Sequence, residues 1–187
     1  QSEFNLQSSE RSIRKALEID PANILAFLRL ARLRCANDDN RTAEEITLRV
    51  LSINPNDDSA NNLMGYIKLA QQNSQQAREY FYKAINANPD AADPHLGVSL
   101  VEIRQGNEAE ALRSISTAVL LEPRRSLYRS YWAKMLHQFE RYDRALDVLD
   151  IAKNLDKQDP TPFLYRAMIL RDLNRPGEAI KELNKAI

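Results

Sequence analysis

Glycine is scarce, at four residues in 187, and cysteine and tryptophan occur once each. So little glycine excludes the glycine-rich phosphate loops of nucleotide enzymes and makes short-stranded β folds improbable, because tight β-turns lean on glycine. The abundant Ala, Leu, Arg, Glu and Gln favour helix instead. A single cysteine, Cys35, excludes an internal disulfide and a thiolate metal cluster, so cysteine usage points to no particular redox compartment. Neither sign of charge is in excess, with 26 Lys and Arg against 26 Asp and Glu. That balance argues against a dedicated nucleic-acid or anionic-membrane surface, which leaves a basic surplus. No apolar run approaches the ~18 residues of a membrane span, and the opening QSEFNLQSSE lacks the basic-then-apolar order of a signal peptide. The expectation is a soluble segment of a larger protein, cytoplasmic or periplasmic, without direct membrane insertion.

Catalytic parts are missing as well. The two histidines, His95 and His137, lie far apart in the chain, and CxxC, HExxH and GxSxG do not occur. Acid pairs such as Glu44 with Glu45 and Asp57 with Asp58 fall at helix starts or turns, where they favour the helix dipole. The sequence therefore reads as a non-enzyme that needs no cofactor and no metal.

What the chain does have is a period. ALEIDP, VLSINP, AINANP and AVLLEP end at Pro21, Pro55, Pro89 and Pro123, 34 residues apart. An alanine column, Ala43, Ala77, Ala111, Ala145 and Ala179, keeps the same spacing. Seven residues further on stands a second small column, Ala16, Val50, Ala84, Ala118, Ala152 and Ala186, with Ile13, Thr47, Phe81, Ile115, Leu149 and Leu183 between the two. Residues at i, i+4 and i+7 share one helical stripe, and small side chains there let another helix approach closely. In the half-repeat before each of these helices, Leu33, Ile67, Val101, Met135 and Ile169 form an apolar column. DDNRT, QNSQQ, QGNEA, FERYD and NRPGE separate the two helices of each unit. Proline closes the second helix because it lacks an N–H and clashes with a preceding turn. At Lys157 that role is expected to pass to Pro160 and Pro162 just inside the next helix, with Asp159 as its N-cap. The count is eleven helices.

This pattern resembles the tetratricopeptide repeat, with its aromatic-x2-Leu-Gly, Ala-x3-bulky and terminal proline signature. Residues 1–23 supply the second helix of one repeat. Full repeats follow at 24–57, 58–91, 92–125 and 126–159, and 160–187 begin a fifth. The departures are Asn61, His95 and Arg129 where the family prefers an aromatic, and Arg34, Lys68 and Glu102 where it favours tyrosine. The resemblance implies an all-α fold, a right-handed α-solenoid of stacked antiparallel helix pairs, with the first helices lining a concave groove. By that register the groove residues are Leu28, Arg29, Arg32, Asn62, Tyr66, Leu69, Leu96, Leu100, Arg104, Tyr131, Lys134, His137, Tyr165, Met168 and Arg171.

Such a wall is apolar, aromatic and mildly basic, since Arg29, Arg32, Arg104, Lys134 and Arg171 face only Asp93 and Asp172. It suggests a protein–protein interaction scaffold, part of a larger assembly of the bacterial envelope or secretion kind, that takes a partner peptide or helix carrying acidic residues or a free C-terminus. A competing reading has Leu28, Leu96 and Leu164 packing against neighbouring first helices. The clamp that holds a chaperone C-terminus uses Lys and Asn where this chain has Leu28 and Arg32, so it is not expected. Gly97 allows two readings, a notch for a ligand backbone or drift at a tolerant site. The second predicts that Gly97→Ala stabilises the fold. Self-association through uncapped ends near Ile180, Leu183 and Ala186 is the structural alternative, and an RNA-binding helical repeat is disfavoured by the neutral charge.

Overall fold

The computed structural model describes residues 2–186, with side chains from Glu10 to Ala186. Eleven helices occur among the described residues, and no strand: α1 (Ser2–Ile19), α2 (Ile24–Ala36), α3 (Asn40–Ile53), α4 (Asp58–Ala70), α5 (Ser74–Ala87), α6 (Ala92–Arg104), α7 (Glu108–Leu121), α8 (Ser126–Gln138), α9 (Tyr142–Leu155), α10 (Thr161–Asp172) and α11 (Pro176–Leu183). The chain divides into two compact units, Gln1–Gly97 and Val98–Ile187. In the first, α2 packs on α3 and α4 on α5, with α1 against α2 and α3 against α4. In the second, α8 packs on α9 and α10 on α11, and α10 also meets α8 and α9.

Each pair turns by the same device. The second residue after each first helix has positive φ: Asp38 (59°), Gln72 (61°), Gly106 (77°), Glu140 (59°) and Asn174 (57°). The next N–H then reaches back to the last turn, from Asp39 to the Arg34 carbonyl, Asn73 to Lys68, Asn107 to Glu102, Arg141 to Leu136 and Arg175 to Leu170. This is the Schellman closure, which satisfies a carbonyl the helix leaves open and costs least with glycine. Only one of the five positions is glycine. Glu140→Gly is therefore expected to raise the thermal midpoint by about 1–3 °C. A fall in the midpoint on calorimetry would contradict that.

The polar residues at the aromatic position of the middle repeats also have a structural role. Asn61, 1% exposed, donates through Nδ2 to the carbonyls of Pro55 (2.9 Å) and Asp57 (2.8 Å). His95 donates to the Pro89 carbonyl, and Arg129 donates to that of Pro123. Each side chain thus ties a first helix to the proline that closed the preceding repeat. Where the partner position is Lys157, the chain has Phe163 instead. Pro160 stands one residue before α10, not inside it, while Pro162 lies in the first turn. Asp159 Oδ1 accepts from the Thr161 N–H at 2.9 Å, and the Ser126 hydroxyl donates to Asp159.

Arg34 and Lys68, which replace tyrosine, form ion pairs with Glu10 and Glu44 on the preceding second helices. The Lys68 ammonium holds the Glu44 carboxyl below the usual carboxylate range, helped by Gln71 Nε2 at 2.7 Å. A depressed folded pKa contributes stability that is complete above the unfolded value and lost as pH falls through the folded one. Glu44→Gln is thus expected to flatten the acid limb of the thermal midpoint below about pH 5. An unchanged limb would show that the pair does not couple to folding.

The small columns are buried as their spacing implies: Ala43, Ala77, Ala111 and Ala145 are each 0% exposed. In the first unit Phe27, Leu28 and Ala31 of α2 share a core with Ala43 and Val50 of α3 and Leu63 and Ile67 of α4. In the second, Ala133 and Leu136 of α8 pack with Ala145 and Leu149 of α9 and Ile169 of α10. Gly97 is no notch and no tolerant site. A Cβ there would lie 2.2 Å from Cε1 of Phe81, and one at Gly65 would lie 2.5 Å from the same atom.

Candidate functional site

In the first unit, α2, α4 and the start of α6 border a cavity of about 420 Å³ lined by Arg32, Cys35, Asn62, Tyr66 and Asp93 among others. Tyr66 fixes one wall. Its ring meets Phe81 edge-on at 5.0 Å, and its hydroxyl donates to the Asp93 carbonyl at 3.1 Å. The buried Oδ1 of Asn62 accepts no hydrogen bond among the described residues. Burial pushes the Cys35 thiol above its ordinary pKa, so it stays protonated and weakly nucleophilic. Arg29 and Arg32 are exposed, and neither has a carboxylate partner among the described residues.

Three residues expected on the open face are buried instead. Leu28 and Leu96 are each 4% exposed and Leu69 is 5% exposed. Leu28 turns sideways into the core it shares with Leu63 and Ile67, where burying its apolar surface outweighs leaving it in the groove. For Leu28 this packing fits the competing reading of the position, and Leu96 is buried as well. Leu164 at the same register is 43% exposed.

In the second unit Leu100 is half-buried and Arg104 exposed. Tyr131, Lys134 and His137 of α8 meet Tyr165 and Asp172 of α10. The two tyrosine rings pack edge to face at 6.1 Å, and Lys134 Nζ stands 5.7 Å from both centroids. Burial, reinforced by Tyr131, pushes the Tyr165 phenol up to about 12, so this ring faces Lys134 in neutral form. His137 Nε2 lies 2.9 Å from Asp172 Oδ2 and its ring leans on Tyr142 at 5.6 Å. Arg171 donates to Asp172 Oδ1 at 2.9 Å and, with His137, holds that carboxyl below its usual range. Arg171 is thus engaged by its own neighbour. Lys134, half-buried, has no carboxylate partner among the described residues.

The cluster can receive a carboxylate at Lys134 while an adjoining apolar group rests on the ring faces and on Met168, 41% exposed. Tyr142 escaped the sequence reading because it opens a second helix, outside the groove register. The exposure of Leu164 depends on which neighbour covers it, and no local pattern carries that information. Among the described residues no group of His, Cys, Asp and Glu is arranged to hold a metal ion, and no helix is long and apolar enough to cross a membrane.

Comparison with known proteins places this geometry. Residues 58–91 match the family description of the tetratricopeptide repeat. No curated protein matches the sequence. A tetratricopeptide repeat protein from Parabacteroides merdae superposes with a TM-score of 0.83 at 20% identity, covering 99% of this chain and 72% of that one. PilW, described as a widely conserved type IV pilus biogenesis factor, gives 0.79 at 20% identity over 97% of this chain and 84% of its own. YrrB, described as a protein of this repeat class with an unusual peptide-binding site, gives 0.59 at 19% identity over 94% and 90%. Likeness at such identities speaks for the fold alone.

Proposed function

We propose that the chain, whose residues 58–91 match the tetratricopeptide repeat, is a non-catalytic scaffold of that family whose first-helix faces grip a peptide or helix of a partner protein. The observation that carries this reading is Lys134, a half-buried cation between two tyrosine rings with no carboxylate of its own. Keeping an ammonium there without an anion loses solvation, and an incoming acidic residue or C-terminus restores it. Arg32 beside the cavity of the first unit offers a second contact of the same kind. The peptide-binding description of YrrB supports the mode, and that of PilW supports a place in a larger bacterial assembly.

Fluorescence anisotropy tests it, with amphipathic peptides that differ only in carrying glutamates or lysines. The glutamate peptides are expected to bind about tenfold tighter, and Arg32→Glu with Lys134→Glu to abolish the preference. Equal binding by the double variant would remove the groove reading. Self-association is a second reading, favoured by Ile180 at 59% and Leu183 at 41% exposure where the equivalent Leu149 is 0% exposed. A strict monomer by light scattering at high concentration would contradict it.

A further inference from the structure

We propose that the cavity bordered by α2 and α4 in the first unit is a subsite for a mixed-charge segment of a partner protein, in which an acidic and a basic side chain stand close together with an N–H donor beside them. This deepens the reading of the first-helix faces as docking surfaces and rests on it. Arg32 and Asp38 both line the cavity of about 420 Å³, yet neither forms an ion pair, with the other or with any further described residue. An opposite pair left open at one cavity complements a ligand that carries both signs.

The turn between α2 and α3 fixes one of the two charges. Asp38 has a φ of 59°, its N–H donates to the Cys35 carbonyl at 3.1 Å, and the N–H of Asp39 donates to that of Arg34 at 2.9 Å. These bonds hold the backbone that carries the Asp38 carboxylate, and Arg32, exposed on α2, does not close on it. Asp39 is different, because its carboxylate already caps α3 by accepting from the Thr42 N–H at 3.2 Å. No thiolate competes for Arg32 either, since burial keeps Cys35, between the two charges in the chain, protonated.

A third group points to the same ligand. Asn62 of α4 lines the cavity, and its side chain makes no hydrogen bond among the described residues although its Oδ1 is buried. A buried amide oxygen without a donor is costly. Rotation about the broad χ2 of asparagine turns it to the cavity, where a ligand N–H satisfies it. The opposite wall is held in place by Tyr66, bonded to the Asp93 carbonyl. A wholly acidic segment suits Arg32 but meets Asp38 and Asp93, and a wholly basic one meets Arg32. A segment with both signs leaves neither charge opposed, which separates this subsite from Lys134, where an acid alone suffices.

Three amphipathic peptides with the same apolar residues serve as probes, one alternating glutamate and lysine, one all glutamate and one all lysine. They are titrated into the full chain and into its Lys134→Ala variant, which lacks the second unit's cation. In Lys134→Ala, anisotropy is expected to show the mixed peptide binding about three- to tenfold tighter than either counterpart. Adding Asp38→Asn, a residue that tolerates the left-handed turn, is expected to remove the advantage over the all-glutamate peptide. Arg32→Gln is expected to remove the advantage over the all-lysine peptide. The side-chain amide resonance of Asn62 is expected to shift as the mixed peptide saturates. Both substituted positions are exposed, and matching melting curves verify the fold. An all-glutamate peptide that binds as tightly as the mixed one, with Asp38→Asn without effect, overturns this proposal while the docking reading stands. So does binding of all three peptides to the unaltered chain but none to Lys134→Ala. Absence of binding to both chains removes the docking reading as well. Displacement of the mixed peptide by free glycine at comparable concentration would make a small zwitterion the occupant, and that also overturns the proposal.

Discussion

Gly97→Ala is expected to lower stability by about 1–3 kcal/mol, although replacing glycine by alanine inside a helix ordinarily gains about 1 kcal/mol. The reversal comes from Phe81. Its ring is 0% exposed and sits between Gly65 of α4 and Gly97 of α6, with the edge of Tyr66 at 5.0 Å. An added Cβ at Gly97 would lie 2.2 Å from Cε1 and 2.4 Å from Cζ. A ring enclosed on several sides cannot swing clear without opening the core, so the clash is felt in full. In a Phe81→Leu background the smaller side chain leaves room, and the cost of Gly97→Ala is expected to fall toward zero. The coupling in a denaturant double-mutant cycle is then about 1–3 kcal/mol. Additive effects would show that Phe81 is not what Gly97 makes way for.

Ala145→Leu is expected to cost about 3 kcal/mol or to prevent folding. Ala145 is 0% exposed and packs with Ala133, Leu136, Leu149 and Ile169, so three more carbons must push α8 away from α9. Ala109→Leu serves as the control. Ala109 is exposed near the start of α7, and its replacement should change stability by less than about 0.5 kcal/mol. Equal melting of the two variants would mean that the alanine column does not set the helix separation.

The columns were legible in the sequence because small, bulky and small side chains recur at fixed phase, and phase alone defines a helix's buried stripe. The turns were legible for the same reason, although the left-handed residue is glycine only at Gly106. Gly97 was misread because its constraint comes from Phe81 on another helix, and helix propensity carries no trace of that. Asn61, His95 and Arg129 looked like degenerate copies of an aromatic. Their bonds to proline carbonyls need the turn geometry before they can be seen. The groove register mixes two kinds of residue, since a leucine at one register position is covered at Leu28 and open at Leu164. Around Lys134, which the register singled out, the structure adds the tyrosine pair that frames it.

The central claim, that partners dock on the first-helix faces, is tested most directly by amide chemical-shift mapping of the full chain titrated with a glutamate-bearing amphipathic peptide. The account predicts saturable shifts at Tyr131, Lys134, Tyr165 and Met168, and their loss in Lys134→Glu. Shifts confined to the exposed sides of the second helices, at Leu48, Tyr82 and Ile151, would contradict it.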